Sequence, residues 1–227
     1  MKPKIAVSIA APTAKEASTM TRRARRLGAD LAEIRLDYLK QEESVETVAK
    51  SREIPLIATF RSIENGGVRD VAESKRTESL LVAARAGFQY VDIELKTRNL
   101  TFFISKLHAA GAETIVSHHD FKKTDSEAKL KEVLNHCRRS GATLTKLVTT
   151  ATKMDDSLRL LALTQEESKR SGLICFGMGR LGIQSRIFSP LYGAVFTLAS
   201  LDDEKTVAPG QIPVSGMRRI YMEMGYS

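Results

Sequence analysis

The segment Leu144-Thr145-Lys146-Leu147-Val148-Thr149-Thr150 reads as a buried β-strand with Lys146 near its middle. Burial penalises an ammonium group and favours the neutral amine, which can attack a carbonyl and form an imine. The plainer alternative is a strand-edge lysine whose head group reaches water along its aliphatic stem. Upstream, Ser117-His118-His119-Asp120-Phe121 holds two of the four histidines, side chains that shuttle protons near neutral pH. Neighbours on an extended segment point to opposite sides, so one of the pair faces any site the strand borders. A metal held by both would need a third ligand, and none is spaced to supply it. Glu33 and Arg35, two apart, share a strand face; they either pair with each other or hold the hydroxyls of a polar ligand. Asp92 and Glu94 repeat that spacing and bear on an active-site cation or on structural arginines. Arg61, followed by Glu64, Asn65, Gly66 and Gly67, suits a loop that binds an anion or a hydroxyl. Arg186, closing Met178-Gly179-Arg180-Leu181-Gly182-Ile183-Gln184-Ser185-Arg186, offers the fork a carboxylate requires. Ala208-Pro209-Gly210-Gln211 reads as a turn-forming lid carrying a side-chain amide. A lysine, a histidine, arginines and a lid suit acid–base chemistry on a small anionic ketone.

These residues need a frame that brings them together. Apolar, β-branched runs predict strands near Ile5–Ile9, Leu31–Leu36, Leu56–Phe60, Tyr90–Leu95, Thr114–Ser117, Leu144–Thr149, Leu173–Phe176 and Ala194–Leu198. Helical patterns fall between them at Ala14–Leu27, Ser44–Lys50, Glu73–Ala86, Asn99–Ala110, Ser126–Arg139 and Met154–Ser171. Gly28, Gly87, Gly111, Gly141 and Gly172 stand where helix C-caps are expected. Eight alternating units in 227 residues predict a parallel sheet closed as a single-domain (β/α)₈ TIM barrel spanning 1–227. A doubly wound open sheet is the alternative, but no GxGxxG follows the first strand. In a barrel the chemistry belongs at the C-terminal strand ends, where these residues lie.

Composition limits the classes further. At 42% hydrophobic and 27% charged, the chain is an ordinary globular one. Its longest apolar stretch, near Leu191–Leu201, is too short to cross a bilayer, so no membrane partner is expected. Met1 to Ala11 superficially resembles a signal peptide but reads as a first strand. Cys137 and Cys175 match no metal or redox spacing and suggest free thiols in a reducing cytoplasm. The net charge of +8 raises nucleic-acid binding. Yet the densest cluster, Arg22, Arg23, Arg25 and Arg26, reads as a solvated helix face, and no stacking motif accompanies it, so no nucleic-acid partner is expected. Within enzymes, a class I aldolase or transaldolase also uses a strand lysine in a barrel. Such enzymes commonly bind phosphate after strands seven and eight, where Ser185-Arg186 suits a carboxylate better.

In this order and spacing the segments resemble the type I 3-dehydroquinate dehydratases, which form a Schiff base in the shikimate pathway of aromatic amino-acid biosynthesis. They are Glu33-Ile34-Arg35-Leu36-Asp37, Thr59-Phe60-Arg61-Ser62, Asp92-Ile93-Glu94-Leu95, Ser117-His118-His119-Asp120-Phe121, Lys146 and Met178 through Arg186. The resemblance implies a hydro-lyase with no cofactor: Lys146 condenses with the ketone of 3-dehydroquinate, and His119 removes the adjacent proton and later protonates the leaving hydroxyl. It implies that Arg186 binds the carboxylate, that Gln211 closes from the lid, and that Glu33, Arg35, Arg61 and Ser8 hold the ring. The expected setting is a cytoplasmic homodimer. Two positions depart. Many bacterial members have glutamate where Asn65 stands, with Glu64 one place earlier, and serine where Val207 stands. Either Glu64 swings in, or the histidine is oriented without a carboxylate; one lid contact to substrate is missing.

Overall fold

A computed structural model describes residues 2–40, 43–50, 52–201 and 207–226; Met1 and Ser227, the ends of the expected barrel, lie outside them. Eight strands alternate with helices: β1 (Ile5–Ile9), α1 (Ala14–Arg26), β2 (Leu31–Arg35), α2 (Val45–Lys50), β3 (Leu56–Thr59), α3 (Glu73–Arg85), β4 (Tyr90–Glu94), α4 (Leu100–Ala109), β5 (Glu113–Asp120), α5 (Glu127–Arg139), β6 (Leu144–Thr150), α6 (Met154–Glu167), β7 (Gly172–Met178), α7 (Ile183–Phe188), β8 (Thr197–Ala199) and α8 (Val214–Glu223). The strands run parallel in the order β7-β6-β5-β4-β3-β2-β1-β8. The Val195 amide donates to the Leu173 carbonyl at 2.9 Å just ahead of β8, so the sheet is a nearly closed (β/α)₈ barrel.

Helix α1 shows how the pattern becomes structure. Ala14, Ala17, Thr21 and Ala24 recur on one face and are buried, and the Thr13 hydroxyl accepts from the Glu16 amide at 3.2 Å as an N-cap. The arginine cluster falls on the opposite, outer side, where Arg25 pairs with Glu53. Gly28, Gly87, Gly111 and Gly141 take the left-handed φ of a helix C-cap, as expected. Gly172 does not: it is the first residue of β7, where a Cβ would come within 2.3 Å of Leu144.

The barrel interior is layered. Ala6, Leu31, Ile57, Ile115, Leu144, Ile174 and Phe196 form an apolar floor at the N-terminal ends of the strands. Two residues further along, at Ser8, Glu33, Thr59, Asp92, Ser117 and Lys146, the interior turns polar while remaining buried. Outside the barrel, Leu130, Leu134, Leu147, Leu160, Leu163 and Leu173 pack β6 and β7 under α5 and α6. Cys137 and Cys175 are both free and buried; burial pushes each thiol up to about 12, which makes them inert. Among the described residues no helix is long and apolar enough to cross a membrane.

Two helices were not placed by the sequence patterns. One is α8, whose Val214, Met217 and Tyr221 are buried and whose Arg218 binds the carbonyls of Pro3 and Gly28, each at 2.7 Å, tying the end of the chain to its beginning. The other is α7. Met178–Arg186 shows no helical pattern in the sequence, but a short 3₁₀ turn over Arg180–Gly182 leads directly into that helix. Ser185 fixes the junction, accepting from the Gly177 amide at 2.9 Å and donating to the Gly182 carbonyl at 2.8 Å. The turn presses on β7 so closely that a Cβ on Gly182 would lie 2.4 Å from the Gly177 carbonyl carbon. Gly182→Ala is therefore expected to lower stability by about 1–3 kcal/mol through forced backbone displacement, read as a lower denaturation midpoint.

Candidate active site

The polar layer opens into a cavity of about 200 Å³ at the C-terminal end of the barrel. Ser8, Glu33, Arg35, Arg61, His119, Lys146, Arg186 and Gln211 all line it, so these eight residues meet in one place, while Asp92, Glu94 and Glu64 are not among its lining. His118 does not line it, in keeping with the alternation along β5. Among the described residues no group of three or more histidine, cysteine, aspartate or glutamate side chains could hold a metal ion.

Lys146 is only 4% exposed, and its ammonium donates to Asp92 Oδ2 at 2.9 Å and Glu33 Oε1 at 3.2 Å. It is thus neither an edge lysine nor alone in an apolar pocket. Glu33 does not pair with Arg35, its neighbour on the strand face. It accepts instead from Ser8 Oγ at 2.7 Å and Thr59 Oγ1 at 3.0 Å. Burial would raise Glu33, but Lys146 and Arg61 outweigh it and hold the carboxyl below its ordinary value. Burial acts the same way on Asp92, and there too Arg61 and Lys146, with hydrogen bonds from Arg61 and Ser117, win and keep it well below the carboxylate range. Arg61 is raised in turn: burial lowers it, and Asp92 and Glu33 more than compensate. Glu33, Asp92, Lys146 and Arg61 thus form a buried, charge-balanced quartet.

His119 lies on the cavity wall beside Phe121, whose ring stacks with it at 6.0 Å. Its Nδ1 is sealed from solvent and has no hydrogen-bond partner. Burial first, then the cations Arg61 and Lys146, push it well below 6.5, so the imidazole is a neutral base at pH 7. Among the described residues no carboxylate is hydrogen-bonded to it. Glu64 is exposed and does not line the cavity, while Asn65 does, with its amide nitrogen on Ser62 Oγ at 3.0 Å, and Ser62 in turn is held by Glu94. Of the two outcomes left open for the Asn65 position, the structure has the second.

Arg186 is 1% exposed, stacks over Phe176 at 4.2 Å and donates to the carbonyls of Leu198 at 3.2 Å and Pro209 at 3.4 Å. Its Nε has no partner, and desolvation pushes it down to about 9, which leaves it charged at pH 7. Among the described residues no carboxylate pairs with it. A buried cation on a cavity wall offers its charge to an anion. From the β8–α8 turn, Gln211 Nε2 donates to Ser8 Oγ at 3.2 Å while its Oε1 accepts the Val207 amide at 2.8 Å. Val207 lines the cavity and supplies only its backbone to this turn. Asp92 and Ser117 contribute more to the site than their spacing suggested. The signal was there for Asp92, which lies two residues from Glu94 on an inward strand face.

Fold and site together define a (β/α)₈ barrel with an ion-paired lysine buried at its active end. The sequence model of the type I 3-dehydroquinase family matches residues 5–227. A 3-dehydroquinate dehydratase from Dehalococcoides mccartyi is 38% identical over 200 residues, covering 88% of each chain. The crystal structure of the 3-dehydroquinate dehydratase from Aquifex aeolicus is 31% identical with a TM-score of 0.80, covering 97% of this chain and 98% of that one. The one from Geobacillus kaustophilus is 25% identical with a TM-score of 0.90, covering 100% and 93%. The chain belongs to the type I 3-dehydroquinase family, and is a hydro-lyase of that class.

Proposed function

We propose that the chain converts 3-dehydroquinate to 3-dehydroshikimate through an imine on Lys146. The observation that carries this reading is Lys146 itself, buried between two carboxylates at the edge of a cavity that also holds a neutral histidine. Lys146 first gives a proton to water, and the free amine attacks the ketone carbon; the carbinolamine takes a proton back as it loses water, which gives a protonated imine. That cation takes the place of the ammonium between Glu33 and Asp92, so the charge balance of the quartet survives the covalent step. His119 removes a proton from the carbon next to the imine, and the electron pair moves into an enamine. The enamine then expels the β-hydroxyl, which leaves as water with the proton carried by His119. Hydrolysis of the conjugated imine frees product and lysine. Arg186 holds the substrate carboxylate, Ser8, Glu33, Arg35 and Arg61 surround the ring, and Gln211 covers it.

The reading includes one domain, the cytoplasm and a homodimer. In support of pairing, Met154 and Leu158 stand one turn apart on α6 with 49% and 65% of their surface exposed. Borohydride added with 3-dehydroquinate should reduce the imine and leave a substrate-sized mass increment on the peptide carrying Lys146. An unmodified Lys146 under turnover conditions would overturn the proposal.

A further inference from the structure

Among the described residues four cations line the cavity: Arg35, Arg61, Lys146 and Arg186. Arg61 and Lys146 are balanced by Asp92 and Glu33 within the barrel, and Glu94, behind the wall, has Arg76. Arg35 is balanced by a residue that does not line the cavity at all. Asp37, fully buried, takes the guanidinium edge-on, with Nε on Oδ1 at 2.9 Å and Nη2 on Oδ2 at 2.7 Å. Nη2 also donates to the Gly66 carbonyl at 2.9 Å. Asp37 is itself pinned: the Val68 amide donates to Oδ2 at 3.3 Å, and Arg69, lying over Phe60, grips the carbonyls of Leu36 and Asp37 at 2.9 and 2.8 Å.

Taking the cavity as the substrate site, as proposed above, we infer that Asp37 is a specificity-determining positioning residue that makes the pocket select a monoanion. It does so in two ways. It occupies the Nε–Nη2 edge of Arg35, leaving only Nη1 for a ligand, and a lone edge nitrogen suits a hydroxyl rather than a carboxylate or phosphate fork. It also cancels the Arg35 charge, so among the described residues Arg186 remains the one cation lining the cavity without a carboxylate partner. The ligand class that fits is a compact hydroxylated ring with a single negative group seated at Arg186. A dianion, a phosphate ester included, would bury a second charge with no open cation to meet it. The geometry thus rejects phosphorylated sugars through a residue that never touches them.

The test compares a matched pair of rings, cyclohexanecarboxylate and cis-1,3-cyclohexanedicarboxylate, by calorimetry on the full chain. Asp37→Asn frees Arg35 and should shift the ratio of the two Kd values about tenfold or more toward the dicarboxylate. Adding Arg35→Met to that variant should return the ratio to its starting value. If Asp37→Asn does not fold, Arg35→Met alone decides, because leaving the Asp37 carboxylate uncompensated must weaken the dicarboxylate more than the monocarboxylate. An unchanged ratio in the folded single variants overturns the inference, and a purely structural Asp37 predicts that result, with both affinities falling together. Binding is read without turnover, so a chain that fails to dehydrate 3-dehydroquinate can still pass or fail this test.

Discussion

Lys146→Ala lowers turnover of 3-dehydroquinate by about 10⁴-fold or more, since without the imine no electron sink acidifies the adjacent carbon. The assay is the absorbance of the conjugated enone product, and near-normal turnover would sink the mechanism. The same substitution has a second, separable consequence. Asp92 and Glu33 keep their depressed values because Lys146 and Arg61 face them. With the lysine gone, only Arg61 remains for two buried carboxylates, and breaking such a pair costs about 3–5 kcal/mol. The sign with pH follows. A carboxylate depressed in the folded state contributes stability that is complete above its unfolded value, about 4, and is lost as pH falls through the folded value. Wild type therefore gains stability from Glu33 and Asp92 at pH 7 and loses it in acid. The variant melts well below wild type at pH 7, and the gap narrows toward pH 4 as Glu33 accepts a proton. Thermal denaturation at the two pH values reads this directly.

His119→Ala separates the proton transfers from the covalent step. The rate should fall about 10²–10⁴-fold, the usual contribution of a positioned acid–base group. Borohydride should nevertheless trap substrate on Lys146, because the amine remains. In wild type, burial and the cations Arg61 and Lys146 hold His119 well below 6.5, outweighing the opposing charge of Asp92. A base must be neutral to act, so kcat/KM should stay level as pH falls through 6.5 and decline only in more acid solution. An acid limb centred at or above 6.5 would contradict this. The stability effect has the same direction: a histidine depressed in the folded state favours folding above 6.5 and costs stability as pH drops, because the unfolded chain then binds the extra proton.

The barrel was legible because its strands are short apolar runs and its early helices carry capping residues and periodic small side chains, as in α1. Strand β5 runs three residues past the predicted end because polar His118, His119 and Asp120 continue the extended backbone with no apolar signal. Helix α7 was invisible for a related reason: six residues after a glycine-rich turn are too few to show a period, and the turn is set by contact with Gly177 across the chain. The residues that line the cavity could be named in advance, but their partners could not. Lys146 and Glu33 are 113 positions apart, and whether Glu33 faces Arg35 or Lys146 depends on how eight strands are staggered. Asp37 shared the two-residue spacing of Glu33 and Arg35, yet nothing local said which neighbour it would neutralise.

The apolar floor beneath the polar layer has a bearing on traffic. Ala6, Leu31, Ile57, Ile115, Leu144, Ile174 and Phe196 stopper the barrel from below, so among the described residues the cavity has no way out through its floor. Whatever enters past Gln211 must leave the same way, and so must the water molecule the reaction creates. Nothing can arrive from behind to displace a spent ring. Each cycle is therefore an exchange at a single doorway, where departure of the last product is a precondition for the next arrival.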